Sequence, residues 1–109
     1  MNRVIAHTAV KKVMNLVRYR VKDGCDSEFL RLQRSAGDYI SGSIRFVLIK
    51  TADHCYCNVG EWPSGEALKN QMPSLIAWLD TYRHLLDEVF VDGGVTDAVS
   101  GEVIWDTRD

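Results

Sequence analysis

Residues 13–21 alternate with a period of two. Val13, Asn15, Val17, Tyr19 and Val21 fall on one side of an extended chain; Met14, Leu16, Arg18 and Arg20 fall on the other. The pattern predicts a first strand, one face mostly apolar around a single amide and the other turning basic. Lys22-Asp23-Gly24 is turn chemistry. The period then changes. Phe29, Leu32, Ala36 and Tyr39 or Ile40 recur at helical spacing, with Asp26 or Ser27 as cap and Glu28 at the positive end of the helix. This helix is expected to stop near Ser41-Gly42-Ser43. Ile44–Lys50 and His54–Trp62 read as two strands of a hairpin joined at Thr51-Ala52-Asp53. Pro63 ends the second of them, and Ser64 can cap the next helix. That short helix, over Gly65–Met72, is expected to break at Pro73. Ser74 then caps a longer helix to about Val89, with Leu75, Leu79, Tyr82 and Leu86 as its apolar stripe, widened by Ile76, Trp78 and Leu85. Asp80, Thr81, His84, Asp87 and Glu88 form its wet face. Gly93-Gly94 breaks the chain again, and Glu102–Trp105 is the expected fourth strand.

The order β-α-β-β-α-β predicts an α+β, ferredoxin-like domain: an antiparallel sheet with helices on one face, over residues 13–109, after a lead-in over residues 1–12. Helices on one face leave the other bare. With Val47, Ile49, Cys55, Cys57 and Val59 available to it, that face is too apolar for a monomer. Two sheets closed against each other would cover it, so a homodimer is expected.

Composition narrows the partners. At 109 residues the chain is one domain, and 46% hydrophobic against 26% charged residues excludes disorder. Thirteen Lys+Arg against fifteen Asp+Glu leave no basic excess to neutralise phosphates, so nucleic acid is not an expected partner. No apolar run approaches the ~20 residues that cross a bilayer. The opening MNRVIAHTAVKKVMNLV lacks the apolar core of a signal peptide. A cytoplasmic location with reduced thiols is therefore expected. Cys55 and Cys57 flank one residue, a spacing that fits neither a C-x-x-C redox pair nor a zinc knuckle; they are expected to pack as small apolar residues on one sheet face.

The third strand carries the chemistry. His54, Tyr56, Asn58, Gly60 and Trp62 share one side; Cys55, Cys57, Val59 and Glu61 share the other. A polar and aromatic set facing helices suits a cavity with a few placed hydrogen-bonding groups, and Gly60 leaves room for something to approach the backbone. The same residues also fit a purely structural role: Trp62 as core with its N–H on a carbonyl, and Asn58 satisfying a backbone group.

The segments Ile49-Lys50-Thr51-Ala52-Asp53, Tyr56-Cys57-Asn58-Val59-Gly60-Glu61-Trp62 and Ser64-Gly65-Glu66-Ala67-Leu68 resemble the antibiotic biosynthesis monooxygenase family. Its mark is a strand-ending Glu-Trp followed by a capped helix. Tyr19-Arg20-Val21-Lys22-Asp23-Gly24 is similar to the family's first strand and turn, and the resemblance spans residues 13–106. It implies a dimeric α/β barrel with a pocket between sheet and helices in each subunit. It also implies, for some members, oxidation of anthrones or quinols with no metal or flavin, the substrate's own anion giving an electron to oxygen. By that resemblance Asn58 and Trp62 are the candidate catalytic pair, with Tyr82 and Arg83 from the helical layer. Asn15, His54, Tyr56 and Trp78 are candidate pocket residues, and a small aromatic or quinone-like ligand is the expected partner. No cofactor is expected. Family members that degrade haem use an Asn, a Trp and a His; Asn15, Trp78 and His84 supply the types, but the Trp position falls near Gln71, so haem chemistry is not expected. The scaffold is shared among several functions. A non-catalytic small-molecule-binding or stress-response dimer stays open beside the oxygenase, as does an isomerase or decarboxylase using His54 as base. A metal site at His54, Cys55 and Cys57 is not expected, because Cys55 points away from His54.

Overall fold

Strand β1 (Val13–Arg20) lies at the centre of the sheet and sets the register of the rest. In the computed structural model, which describes residues 11–108, it pairs antiparallel with β3 (Cys55–Trp62) on one side and β4 (Asp97–Glu102) on the other. Strand β2 (Arg45–Ala52) pairs with the outer edge of β3, giving the order β2-β3-β1-β4. Helices α1 (Asp26–Gln33) and α2 (Gly65–Tyr82) supply the second layer of this α+β, ferredoxin-like fold. The lead-in expected over residues 1–12 lies, except for its last two residues, outside the described residues. Among the described residues no helix is long and apolar enough to cross a membrane.

The alternation of β1 sorts as expected: Val13, Asn15, Tyr19 and Val21 are buried under the helices, and Leu16 and Arg18 are turned to the far face. The core between the layers is largely aromatic. Phe29 of α1 stands edge-on to Tyr19 at 5.6 Å and to Tyr82 at 5.5 Å, and Trp78 meets Tyr82 at 5.1 Å. Such pairs add about 0.5–1.5 kcal/mol each beyond their burial.

Three elements differ from the sequence pattern. Helix α2 runs unbroken through Pro73, with Ser64 capping it through a 3.0 Å bond from the Ala67 N–H. Pro73 and Lys69, whose carbonyl loses its helical donor, are both exposed, so water takes that carbonyl and no break is needed. The helix stops at Tyr82 rather than Val89, because Leu86 returns to the sheet as a single bridge to Val21. Helix α1 tightens to a 3-10 turn at Arg34–Asp38, and neither Asp26 nor Ser27 caps it; Cys25 occupies the cap position without a side-chain bond. The fourth strand is Asp97–Glu102, pairing Val99 with Leu16, while Ile104 and Trp105 lie exposed beyond it.

On the face away from the helices, the register lines up Val47, Val59, Leu16 and Val99 in one apolar row across all four strands. Arg18 pairs with Asp97 at 3.3 Å beside that row, and Arg20 with Asp87 at 3.3 Å.

Because α2 carries its proline without breaking, Pro73→Ala should restore one helical hydrogen bond at an exposed position and raise stability by about 1–3 kcal/mol in urea unfolding. A loss of stability would mean that the chain needs a kink there.

Candidate functional site

The helix-facing side chains of β1 and β3 meet in register: Asn15 opposite Gly60, Val17 opposite Asn58, and Tyr19 opposite Tyr56. Over them α2 lays Leu68, Met72, Leu75, Leu79 and Tyr82. Between α2 and the β1–β4 half of the sheet lies a cavity of about 330 Å³, apolar in most of its wall. Asn15, Tyr19, Trp78 and Tyr82 are its hydrogen-bonding residues of β1 and α2. A smaller cavity of about 250 Å³ opens on the other side of Phe46 and Trp78, against α1 and β2, and reaches Asn58 and Gln33.

A chain of hydrogen bonds runs between the two. Tyr19 Oη donates to Asn58 Oδ1 at 2.6 Å and lies 3.0 Å from Tyr82 Oη. Asn58 Nδ2 donates to Gln33 Oε1 at 3.0 Å and to the Val47 carbonyl at 3.4 Å. A backbone carbonyl only accepts, so the bond to Val47 fixes which end of the Asn58 amide is nitrogen. Tyr19 commits its one proton to Asn58. Its contact with Tyr82 must therefore be a bond donated by Tyr82, and the chain has a single direction: Tyr82 to Tyr19 to Asn58 to Gln33. Burial pushes the Tyr19 hydroxyl far above the ordinary phenol range, with Tyr82 adding to the shift. Burial raises Tyr82 as well. Both stay protonated at neutral pH, as donors rather than phenolates.

A second bond locks the β1–β3 pair. Trp62, fully buried, donates its indole N–H to Asn15 Oδ1 at 2.7 Å. The bond passes directly over Gly60. A Cβ at that position would overlap the Asn15 oxygen and come within 2.7 Å of Trp62 Nε1. The room left by Gly60 is thus taken by this bond.

The residues expected at the site divide into four groups. Asn15, Trp78 and Tyr82 line the larger cavity; Asn58 and Trp62 sit behind it, fully buried and bonded to Tyr19 and Asn15. His54 and Tyr56 line neither cavity. They meet Asp26 at the opposite end of β3 from Trp62, with His54 Nδ1 at 2.7 Å from Asp26 Oδ1 and Tyr56 Oη donating to Asp26 Oδ2 at 2.6 Å. Burial and that carboxylate push the Tyr56 hydroxyl up to about 12, while the bonds from Tyr56 and then His54 hold Asp26 below the usual carboxylate range. Arg83 is exposed and turned to Asp80, with bonds of 3.1 and 2.9 Å. Two residues at the centre of the network were not among the candidates. Tyr19 shares the β1 face with Asn15, and Gln33 lies four residues after Phe29 on the buried side of α1, where a glutamine among apolar neighbours is itself a signal.

No family model and no curated protein matches the sequence. Solved structures do. An asparagine-to-alanine variant of SnoaB, a cofactor-independent oxygenase from Streptomyces nogalater, superposes with a TM-score of 0.70 at 17% identity, covering 91% of this chain and 99% of that one. A candidate antibiotic biosynthesis monooxygenase from Nitrosomonas europaea gives 0.69 at 14% identity, over 88% and 93%. A protein of unknown function from the same organism gives 0.71 at 14% identity, over 89% and 93%. The chain shares the fold of these proteins along nearly its whole length, in line with the resemblance of its third strand and following helix to the antibiotic biosynthesis monooxygenases.

Gly60→Ala tests the packing of the site. Overfilling so tight a contact should cost about 1–3 kcal/mol of stability and free the Trp62 indole proton to exchange with solvent. Unchanged melting with a still-protected Trp62 indole would contradict the geometry.

Proposed function

We propose that this chain is a cofactor-independent monooxygenase of the antibiotic biosynthesis monooxygenase type, acting on a small aromatic, phenolic or quinol-like compound. The observation that carries the reading is the largely apolar 330 Å³ cavity lined by Tyr19 and Tyr82, whose hydroxyls pair with each other and are anchored by Asn58. Such a cavity is at the small end of ligand pockets, suited to a flat ring system held by apolar contact and oriented by few polar groups.

In the reaction proposed, the substrate brings the electrons. An anthrone or quinol loses a proton to water to become an oxyanion and gives one electron to dioxygen; the two radicals combine as a peroxide anion on carbon, which takes a proton back from water to become the hydroperoxide. Loss of water leaves a new carbonyl: one oxygen atom stays in the product, and the other departs with the two hydrogens taken from the substrate carbon. The protein's part is to hold the oxyanion and lower its energy. Tyr82 has one proton, which it gives to Tyr19 when the cavity holds no anion. A substrate oxyanion is the stronger acceptor and takes that proton's hydrogen bond in its place. Asn58 acts one step back. By accepting from Tyr19 it keeps the Tyr19 oxygen turned to Tyr82, and so works as a positioning residue. Asn15, held by Trp62, keeps its amide nitrogen for the same cavity.

The saturation of Asn58 by protein groups favours a second reading, a dimer of the same fold that binds a small molecule without turning it over. Oxygen uptake with a panel of anthrones and quinols separates the two. The oxygenase reading expects uptake by the wild type, a fall in kcat of about 10²–10³ in Tyr82→Phe, as is usual for one lost oxyanion donor, and little change in KM. Asn58→Ala should lower kcat less and cost about 1–3 kcal/mol of stability, because it leaves buried partners unpaired. If the wild type consumes no oxygen on any of them, the oxygenase reading fails and the binding dimer stands.

We also propose a homodimer closed through the apolar row Val47–Val59–Leu16–Val99 on the far face of the sheet. Leu16 and Val99 are 39% and 63% exposed there, more than a lone sheet face sustains. Light scattering should return twice the 12.3 kDa chain mass for the wild type, and the chain mass for Leu16→Lys. A monomeric wild type across the micromolar range would refute the interface.

A further inference from the structure

Phe46 of β2 and Trp78 of α2 line both cavities, with ring centroids 5.7 Å apart and planes inclined at 67°. The two rings are not equally held. Trp78 is 2% exposed, and its indole N–H bonds the Leu32 carbonyl at 3.1 Å, which ties the ring to α1. Phe46 is half-buried and has only ring contacts, its other one being Trp62 at 6.5 Å. Its place follows from the sheet register. Phe46 pairs with Gly60, where a Cβ would lie 3.0 Å from Phe46 Cδ1. The missing side chain of Gly60 is what lets the Phe46 ring lie in over the sheet.

The space is apolar on both sides of this wall. Leu75 and Leu79 of α2 line the larger cavity; Leu30, Ala36 and Leu48 line the smaller. At about 330 and 250 Å³, each cavity alone is at or below the lower end of the ~300–1,000 Å³ usual for ligand pockets, and the two joined would fall well inside that range. Removing the Phe46 ring would join them into one slot running from β4 to α1. A closed apolar wall discriminates by size, since even a small misfit in such a pocket changes affinity by about 10–200-fold.

We infer that Phe46 sets the length of the ligand: its ring confines a flat aromatic compound to the larger cavity and keeps out fused systems too long for that cavity. This rests on the reading of the larger cavity as the substrate site, and adds a size limit to it. Naphthalene- and anthracene-sized compounds are accepted, and longer ones refused. Phe46 takes no part in the hydrogen-bond chain from Tyr82 to Asn58, so the length of the ligand and the stabilisation of its charge are set by different residues.

The test titrates naphthol and hydroxychrysene into the full chain under nitrogen, followed by methyl NMR. Leu75 and Leu79 line only the larger cavity, and Leu30 and Leu48 only the smaller, so their methyls report which space is filled. In the wild type naphthol should shift Leu75 and Leu79 alone. Phe46→Ala should bind hydroxychrysene about tenfold tighter than the wild type does, or more, with Leu30 and Leu48 now shifting too, while its affinity for naphthol changes little. Phe46→Leu keeps an apolar side chain at this half-buried position, so it should move the same way by less and reads the effect even if the alanine variant melts early. Adding Ala36→Phe, which refills the smaller cavity, should abolish the gain and leave naphthol binding unchanged. Equal hydroxychrysene affinity in the wild type and both variants, a gain that leaves Leu30 and Leu48 unmoved, or a gain that survives Ala36→Phe would each overturn the assignment, as would naphthol failing to shift Leu75 and Leu79 in the wild type. None of these outcomes turns on oxygen uptake, so failure here and failure of the oxygenase reading are separately visible.

Discussion

The interior of this domain is organised by the need to satisfy one buried side-chain amide. Asn58 sits on a central strand with 1% of its surface exposed. Leaving such a group unpaired would cost as much as a large part of a small domain's net stability. Its oxygen and nitrogen are met from three directions: the Tyr19 hydroxyl on β1, the Gln33 side chain on α1 and the Val47 carbonyl on β2. Those bonds tie neighbouring strands to a helix that the sheet register alone would not position. They also set which way every later proton in the network points.

From that anchor the two cavities arise. Tyr19, held by Asn58, accepts from Tyr82, which brings the end of α2 over β1 and leaves the space between them apolar. On the other side Gln33, held by the same amide, lines the smaller space. Phe46 and Trp78 belong to both walls, so the aromatic layer that forms the core also partitions it. The Asn15–Trp62 bond over Gly60 does for the Trp62 end of the β1–β3 pair what Asn58 does for its middle.

Much of this was legible in the residue pattern. Period-two alternation placed Asn15, Tyr56, Asn58 and Trp62 on the helix side of their strands and Cys57 and Val59 on the other, because strand geometry leaves a side chain only two directions. Ser64 announced its helix through a cap that local chemistry suffices to form. What was not legible depended on partners distant in sequence. Pro73 reads as a break from its neighbours alone, yet it is tolerated where water can solvate the freed carbonyl. Arg83 follows Tyr82 in sequence, but a helix turns each residue about 100° from the last, so one enters the core and the other faces Asp80. His54 shares the strand's parity with Tyr56, but it takes a left-handed turn conformation with φ of 63° and bonds Asp26 across the loop. Gln33 became meaningful only when Asn58, 25 residues later, was seen to use one end of its amide and not the other.

The central claim is that Asn58 holds Tyr19 as a neutral, proton-donating hydroxyl that in turn accepts from Tyr82. Proton NMR of the uniformly labelled wild type at neutral pH tests it directly. The account predicts a slowly exchanging Tyr19 hydroxyl proton with through-space contacts to the Asn58 side chain, and a second hydroxyl proton, that of Tyr82, close to the Tyr19 ring. A Tyr19 hydroxyl that exchanges freely with water, or one whose proton points at Tyr82 with Asn58 turned to present its nitrogen, would contradict it.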